Sequence, residues 1–132
     1  MIGGIGTDII EVARIQKLID RQERFKKRIF TPAEIAYCER KKNKAQSYAA
    51  RFAAKEAFLK AIGTGWRQGI AFKEIEVVNN ARGKPEIFLH GKAGDYARQM
   101  GIRNIHVSLS HLGEIAVAFV TVEADPEASD SL

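Results

Sequence analysis

Residues 45–62 read AQSYAARFAAKEAFLKAI, an alanine-rich segment that contains neither proline nor glycine and predicts one long helix. Gly63 follows directly and is expected to end this helix, because glycine readily adopts the left-handed conformation found after helix C-termini. Apolar side chains occupy most faces of the helix, so we expect it to be buried at the centre of the molecule.

Shorter elements are predicted on both sides of this helix. Runs of apolar and β-branched residues indicate strands, and apolar residues spaced by three or four indicate helices. Thr31 and Glu34 form the pattern of a capping box, with Pro32 at the first helical position. The order β-α-α-α-β-β-α-β-β indicates a compact α+β fold, with an antiparallel sheet packed against the long buried helix. The predicted ranges are a strand over Met1–Ile10, helices containing Val12–Ile19 and Thr31–Lys41, strands over Glu74–Val78 and Glu86–Leu89, a helix over Lys92–Met100, and a hairpin of Ile105–Leu109 with Ile115–Val122.

The chain is predicted to form one domain over residues 1–122, followed by an acidic and mobile tail over residues 123–132. The formal net charge is +5, from 21 basic and 16 acidic residues, and the tail contains acids but no bases. The body of the protein is therefore strongly basic and favours an acidic partner. Nucleic acid, anionic lipid, a phosphorylated ligand and an acidic protein all remain open on this basis.

Cysteine content and hydropathy indicate in which cellular compartment the protein is expected. Cys38 is the only cysteine, which excludes an intrachain disulfide and a thiolate zinc cluster. Asp8 stands where a signal peptide would remain apolar, and no apolar run approaches the roughly 20 residues needed to span a membrane. We therefore expect a cytoplasmic protein without a membrane partner.

Two carboxylates are the leading candidates for chemistry. Asp8 ends an apolar, glycine-rich strand, where it either caps a helix beginning near Glu11 or belongs to a functional site. Glu56 lies in a largely apolar stripe of the long helix, where it either pairs with Lys60 or belongs to that site. Two carboxylates without a nearby His or Cys suit a hard cation such as magnesium, completed by water and phosphate oxygens.

The predicted final hairpin carries a row of polar side chains. In IHVSLSH, residues 105–111, alternation places His106, Ser108 and Ser110 on one side and the apolar residues on the other. This row is either the solvated face of a strand or the hydroxyl-lined floor of a ligand site. His111, at the turn, adds a donor that could meet a phosphate.

Two glycine-rich turns are weaker signals. GTG at residues 63–65 follows the end of the long helix, and GKP at residues 83–85 follows a predicted hairpin turn. Neither turn matches a Walker loop or a dinucleotide-binding loop. Backbone geometry alone explains such glycines, so a phosphate-binding role stays open.

A basic stripe follows the first predicted helix. Arg14, Lys17, Arg21 and Arg24 recur at spacings of three or four, opposite the apolar face of that helix. The stripe is either a solvated surface or a docking patch for an acidic partner. Phe25 is then either a core residue or an apolar anchor inside the patch.

Five segments together resemble the holo-[acyl-carrier-protein] synthases, the short single-domain family of phosphopantetheinyl transferases. The two most specific are GIGTDIIEVARI at residues 4–15 and RFAAKEAFLKA at residues 51–61. The order and spacing match from residue 4 to about 122, and only the acidic tail lies outside the pattern. The other three segments are GTG at 63–65, GKP at 83–85 and VSLSH at 107–111.

The resemblance implies the compact phosphopantetheinyl transferase fold and a homotrimer with active sites between subunits. It implies a Mg²⁺-dependent transfer of 4′-phosphopantetheine from coenzyme A to a serine of an apo-acyl carrier protein, with release of 3′,5′-ADP. Asp8 and Glu56 match the metal carboxylates of the family, and Lys60 matches its motif lysine. The carrier-binding helix corresponds to the region from Arg14 to Phe25.

Further roles follow from the negative charge of the diphosphate. Lys60 is expected to bind a phosphate oxygen, since an ammonium group neutralises charge there. Glu56, Lys60 and a water on the metal all remain open as acceptors of the serine proton. The sequence also leaves open which carrier protein is served. The expected coenzyme-binding residues are Lys44, Arg51, Gly63, Thr64, Gly65, Gly83, Lys84, Pro85, Ser108, Ser110 and His111.

Two other classes of function compete with this interpretation. A small basic nucleic-acid-binding module would explain the charge, but it predicts aromatic residues that alternate with bases on a sheet. Phe88 and Phe119 lie in predicted strands without such alternation. A metal-dependent nuclease would share the carboxylates, although it usually needs more of them. We therefore expect no nucleic-acid partner.

Overall fold

The computed structural model describes residues 1–63 and 69–126 of the chain. Five strands and five helices form one α+β unit over these ranges, and a 3-10 turn, Phe72–Glu74, leads into the second strand. The elements are β1 (Ile2–Glu11), α1 (Val12–Arg21), α2 (Phe25–Ile29), α3 (Pro32–Glu39), α4 (Lys44–Ile62), β2 (Ile75–Asn79), β3 (Pro85–Leu89), α5 (Gly91–Gln99), β4 (Ile102–Leu112) and β5 (Ile115–Ala124).

The strands form two antiparallel sheets rather than one. The larger sheet has the order β1-β5-β4, with Asp8 paired to Ala118 and Leu109 paired to the same residue from the other side. The smaller sheet is the hairpin of β2 and β3. The predicted α+β class, with a sheet packed against a long buried helix, is confirmed.

Helix α4 lies across the inner face of the larger sheet at very short range. A Cβ atom on Gly4 would stand 1.9 Å from the carbonyl oxygen of Ala61, and one on Gly6 would stand 1.9 Å from that of Ala57. Only glycine on the strand and alanine on the helix permit this approach, because any larger side chain would force the two backbones apart. Alternate residues of a strand face the same side, so Asp8 faces the same helix as Gly4 and Gly6.

Most predicted boundaries agree with the structure to within two or three residues. The capping box is present, since Thr31 Oγ1 accepts from the Glu34 backbone N–H and Glu34 accepts from that of Thr31. Gly63 ends α4 in the left-handed conformation, at φ 70°. Helix α2 was not predicted, because its five residues, FKKRI, are too short and too basic to show a helical period.

The predicted start of the acidic tail was two residues too early. Strand β5 continues through Ala124, where Glu123 contacts His106, and Asp125 pairs with Arg103 at 3.3 Å. The strand extends because the N-terminus of the chain still offers it a partner: the backbone N–H of Ala124 donates to the carbonyl of Met1. Residues 127–132 of the predicted tail lie outside the described residues.

A buried ion pair connects α4 to α3 and the smaller sheet. Lys55 Nζ lies 2.8 Å from Glu34 Oε1, and both side chains are fully buried. The ammonium group also donates to the carbonyl oxygens of Phe72, at 2.9 Å, and Ile75, at 2.6 Å. Glu34 Oε2 accepts from the backbone N–H of Val77. All three Lys55 donors therefore have acceptors, which is the condition for burying such a charge.

The outer face of the larger sheet is rich in exposed apolar side chains. Ile5 and Ile9 are each 66% exposed, Phe119 is 55% exposed and Ile115 is 41% exposed. These residues lie on β1 and β5, which pair in register, so they form one patch. Phe88 is also exposed, but it lies on the separate β2-β3 hairpin. The aromatic residues therefore do not share a sheet face.

Candidate active site

Asp8, Glu56 and Lys60 come together where β1 crosses α4. Lys60 Nζ lies 3.1 Å from Asp8 Oδ1 and donates to the carbonyl oxygen of Thr7 at 3.1 Å. Glu56 stands one helical turn before Lys60. It is close enough to Asp8 for the negative charge of that aspartate to raise the pKa of Glu56. This cluster is named the carboxylate site below.

The structure decides between the alternatives for these side chains. Asp8 is not a helix cap: it lies inside β1, and Glu11 is the N-cap residue of α1 without a side-chain hydrogen bond. Lys60 directs its ammonium group to Asp8 rather than to Glu56, because β1 brings the aspartate within reach. Within the described residues, no hydrogen bond or ion pair engages the carboxylate of Glu56.

The pKa of Glu56 reflects this lack of a direct partner. Burial raises the pKa of this carboxyl group, and the negative charge of Asp8 raises it further, while Lys60 and Arg14 act in the opposite direction. Two neighbouring carboxylates that destabilise each other's charge are typical of functional sites. A divalent cation would remove the repulsion.

The donors at the carboxylate site fit a hard cation. Asp8 and Glu56 supply carboxylate oxygens, and no group of three or more His, Cys, Asp or Glu side chains that could enclose a metal occurs in the described part of the chain. A cation held here would thus complete its coordination with oxygens of other molecules. Magnesium commonly binds in this way, through one or two carboxylates together with substrate phosphates.

A second feature is an open cleft of about 380 Å³ on another side of α4. It lies between the α3-α4 connection, the first half of α4, the β2-β3 turn and the end of β4. Its wall contains Lys41, Lys42 and Arg51 and, among the described residues, no acidic side chain, which suits an anionic ligand. The residues that line the cleft are Tyr37, Lys41, Lys42, Asn43, Gln46, Ser47, Ala50, Arg51, Asn79, Gly83, Pro85, Leu109 and His111.

Arg51 is the buried charge of this cleft. It is only 3% exposed, its Nη2 donates to Asn79 Oδ1 at 2.7 Å, and its guanidinium carbon lies 3.8 Å from the centre of the Tyr37 ring. Its Nε has no hydrogen-bond partner among the described residues. A buried donor without an acceptor is costly, and an anionic ligand in the cleft would offset that cost by balancing the guanidinium charge.

Four of the predicted coenzyme-binding residues line this cleft: Arg51, Gly83, Pro85 and His111. Gly63 ends α4 elsewhere, and Thr64 and Gly65 lie outside the described residues. Lys84 is exposed between two lining residues without lining the cleft itself. Of the GKP turn, only Gly83 and Pro85 reach the cleft, together with the Arg51 and His111 side chains.

Lys44, Ser108 and Ser110 are not part of this cleft within one chain. Lys44 pairs with Glu39 at 3.1 Å and borders a different depression. Ser108 and Ser110 lie opposite Phe119 and Val117 in the sheet register, on the outer face. Ser108 and Ser110 share one side of β4, as predicted. The cleft, however, is lined by Leu109 and His111, which lie on the opposite side of the strand.

Sequence reasoning missed several cleft residues. Tyr37, Lys41 and Lys42 come from the end of α3 and the loop after it, and Asn79 comes from the end of β2. The basic pair directly before a long helix was a usable signal, since helix N-termini favour anions. Tyr37 and Asn79 offered no signal, because their roles depend on contacts with distant residues.

The predicted basic stripe is exposed along α1. Arg14, Lys17 and Arg21 border a groove of about 400 Å³. Arg24 is exposed too, but it lies in the turn before α2, so the stripe is not one continuous helix face. Phe25 is a core residue, 4% exposed and packed against Phe30 and Phe52, because α2 turns it inward. Its predicted role as an exposed anchor is therefore wrong.

The carboxylate site and the cleft lie on different faces of α4. At about 100° per residue, Arg51 and Glu56 are separated by about 140° around the helix axis. Ser47, on the cleft side, is about 180° from Glu56 by the same rule. One copy of the chain therefore does not present both features to one compact ligand.

Comparisons with known proteins identify the family. The sequence matches the 4′-phosphopantetheinyl transferase superfamily over residues 4–120. It is 53% identical to a holo-[acyl-carrier-protein] synthase of Solibacter usitatus and 48% identical to that of Geotalea daltonii, in each case over 93% of this chain and 99% of the relative.

Solved structures agree with this assignment. The holo-[acyl-carrier-protein] synthase of Neisseria meningitidis matches with a TM-score of 0.85 and 38% identity, over 93% of this chain and 99% of the other. The Bacillus anthracis enzyme, described in complex with coenzyme A (3′,5′-ADP), matches with a TM-score of 0.78 and 39% identity, over 95% and 99%. The chain therefore belongs to the holo-[acyl-carrier-protein] synthase family of the 4′-phosphopantetheinyl transferase superfamily.

Proposed function

We propose that this chain transfers the 4′-phosphopantetheine group from coenzyme A to a serine of an apo-acyl carrier protein and releases 3′,5′-ADP. The observation that carries the proposal is the pairing of Asp8 and Glu56 beside Lys60 at the crossing of β1 and α4. Relatives that are named for this reaction cover nearly the whole chain. The complex of the Bacillus anthracis relative supports coenzyme A as the donor.

The reaction is a phosphoryl transfer at the diphosphate of coenzyme A. The serine oxygen forms a bond to the β-phosphorus, the bond from that phosphorus to the bridging oxygen breaks, and 3′,5′-ADP leaves with the electron pair. Lys60 is exposed enough to bind a phosphate oxygen while Asp8 orients its ammonium group. Glu56 has no hydrogen-bond partner among the described residues, so a carboxylate oxygen that is not used to hold the metal would be free to accept the serine proton.

Asp8 and Glu56 would hold a magnesium ion. Such an ion supplies neutralisation of the charge that develops on the diphosphate. The two carboxylates fit this role because their mutual repulsion favours a cation between them, and because they leave positions for phosphate oxygens. Magnesium dependence is thus part of the proposal.

The cleft beside Arg51 would receive the phosphorylated nucleotide end of coenzyme A. Arg51, Lys41 and Lys42 supply positive charge, and Gly83 and Pro85 form an uncharged wall. Arg51 donates to Asn79 through Nη2, and its remaining guanidinium donors give this cleft a partner for a phosphate oxygen. His111 also lines the cleft and can provide a further N–H donor.

The complete active site would require two copies of the chain. The carboxylate site and the cleft face different directions on α4, and the exposed patch of Ile5, Ile9, Ile115 and Phe119 offers a surface for self-association. A homotrimer, as the family resemblance implies, would join the carboxylate site of one subunit to the cleft of the next. Mixing an Asp8→Asn chain with an Arg51→Met chain should then restore activity, and a fully active monomer in light scattering would contradict this arrangement.

The carrier protein would dock on the basic groove of α1. Arg14, Lys17 and Arg21 are exposed there and suit an acidic partner. No helix in the described part of the chain is long and apolar enough to cross a membrane. A cytoplasmic location belongs to the same proposal, in keeping with the single buried thiol of Cys38.

Intact-mass spectrometry tests the proposed reaction directly. Incubation of the protein with coenzyme A, magnesium and an apo-acyl carrier protein should add the mass of one phosphopantetheine group to the carrier. The control is the Asp8→Asn variant, in which the carrier should keep its original mass. An unmodified carrier with the wild-type protein, under conditions in which the folded protein is verified, would overturn the proposal.

A further inference from the structure

Arg51 is held at two points although it lines an open cleft. Its side chain is almost completely buried, and its Nε–H has no acceptor among the described residues. A guanidinium group carries five N–H donors in one plane. The directions of the donors that Asn79 does not use therefore depend on how that plane is fixed. Two neighbours, Tyr37 and Asn79, determine the plane.

Tyr37 supports the face of the guanidinium group. The Arg51 guanidinium carbon lies 3.8 Å from the ring centre, a distance typical of close stacking. Lys41 Nζ also lies 4.6 Å from the same ring centre. The ring therefore meets two of the cationic side chains of the cleft, and it restricts the arginine without using any of its N–H donors.

Asn79 holds the edge of the guanidinium group and connects it to the opposite wall. Its Oδ1 accepts from Arg51 Nη2 at 2.7 Å, and its Nδ2 donates to the carbonyl oxygen of Gly83 at 2.9 Å. Gly83 and Pro85 line the cleft with Arg51. One amide side chain thus sets the position of the arginine relative to the GKP turn.

We infer that Tyr37 and Asn79 are positioning residues that fix the Arg51 guanidinium group so that the N–H donors not used by Asn79 bind a phosphate group of the coenzyme. The inference rests on the proposed function, because it assumes that a phosphorylated nucleotide enters the cleft. It adds two residues that contact Arg51 and that act on the ligand through it. Neither is required to contact the reacting phosphorus.

The test measures binding of 3′,5′-ADP by calorimetry to the purified full chain. Asn79→Ala and Tyr37→Leu should each raise the dissociation constant about tenfold, because each removes one of the two contacts that fix the guanidinium plane. The KM for coenzyme A should rise by a similar factor, while kcat and the KM for the carrier remain within twofold of wild type.

Matched controls separate positioning from general structure. Asn80 organises the same turn by accepting from the backbone N–H groups of Arg82 and Lys84, but it does not contact Arg51. Asn80→Ala should therefore bind 3′,5′-ADP within twofold of wild type. Tyr37→Phe retains the ring and should behave in the same way. Thermal unfolding shows whether each variant remains folded. If Tyr37→Leu is unstable, the 3′,5′-ADP affinity of Asn79→Ala alone tests the inference.

A double-mutant cycle tests whether Asn79 acts through Arg51. In an Arg51→Met background, Asn79→Ala should change the dissociation constant by less than twofold, because the group that it positions is gone. A full tenfold effect in that background, or wild-type affinity of Asn79→Ala alone, would overturn the inference. If the wild-type protein neither binds 3′,5′-ADP nor modifies the carrier, the proposed function itself fails and the inference with it.

Discussion

Lys55 and Glu56 are neighbours on α4, and their surroundings are opposite. Lys55 is fully buried, yet its ammonium group has three acceptors, and Glu34 balances its charge. Glu56 is only half-buried, yet its carboxylate has no hydrogen-bond partner within the described residues and is repelled by Asp8. Full burial thus accompanies complete pairing, and partial exposure accompanies an unmatched charge.

The difference separates a charge that serves the fold from charges that remain available for the proposed reaction. A buried ion pair with every donor and acceptor occupied has nothing left to offer a ligand, even though burial lowers the pKa of Lys55. An accessible pair of like charges is unfavourable until a cation binds. A perturbed pKa therefore indicates a functional site only when an unused group accompanies it.

The comparison is tested most strongly by removing the lysine of the buried pair. Lys55→Met should destabilise the protein by about 3–5 kcal/mol, because Glu34 would remain buried without its counter-charge. Denaturant unfolding measures the change. Adding Glu34→Gln to this variant should recover part of the lost stability. As a control, Lys60→Met, which removes an exposed pair on the same helix, should lower the stability by less than about 1 kcal/mol. Equal losses for Lys55→Met and Lys60→Met would contradict the comparison.

The second prediction concerns the carboxylate site. Asp8→Asn and Glu56→Gln should each reduce phosphopantetheine transfer at least about 100-fold, as expected when a group that stabilises charge in the transition state is lost. Stability in denaturant should stay equal or rise slightly, because each change removes one of two repelling charges. Wild-type turnover at low magnesium in either variant would show that the pair has no role in the reaction.

The third prediction concerns the backbone contact that brings these carboxylates together. Gly6→Ala should cost about 1–3 kcal/mol, because the new Cβ atom meets the Ala57 carbonyl oxygen at 1.9 Å. Transfer activity should fall as well, since the strand must move away from α4 and Asp8 moves with it. Thr7→Ala, at the adjacent outward position, should leave stability within about 0.5 kcal/mol. A stable and fully active Gly6→Ala protein would show that the close contact is dispensable.

The smallest expected effect belongs to a third class of charge, the exposed basic groove on α1. Exposed ion pairs contribute at most about 1 kcal/mol each, so single changes there should be modest. The double reversal Arg14→Glu with Arg21→Glu should raise the KM for the carrier and leave that for coenzyme A unchanged. Carrier affinity should also lose salt dependence, since screening acts over about 10 Å at 0.1 M salt. A salt slope identical to wild type would place carrier docking elsewhere.

The sequence was sufficient for the order of the main elements and for selecting two carboxylates, Asp8 and Glu56, that the fold brings together. Periodicity, the Thr31 capping box and the glycine after α4 are local signals, and local signals persist in the fold. Helix α2 lacked such a signal. The division of the strands into two sheets was not evident either, because strand pairing depends on contacts between distant segments.

Partnerships between distant residues were the least predictable part of the site. Nothing in the spacing along α4 showed that Lys55 would meet Glu34, or that Lys60 would turn to Asp8 instead of Glu56. Phe25 was equally ambiguous, since a phenylalanine inside a basic run suits a core or an interface. These outcomes depend on how β1, α2 and α3 pack onto α4, which only the tertiary structure shows.

The small side chains at the β1-α4 contact also have an entropic consequence. Alanine and glycine lose no rotamer freedom when they are buried, whereas long side chains lose up to about 2 kcal/mol each. Ala57 and Ala61 therefore meet Gly4 and Gly6 without ordering any flexible group. The contact also has no alternative rotamers through which the strand could shift along the helix. The spacing between the backbone positions that carry Asp8 and Glu56 is thereby fixed, and little backbone entropy remains to be lost when a ligand arrives.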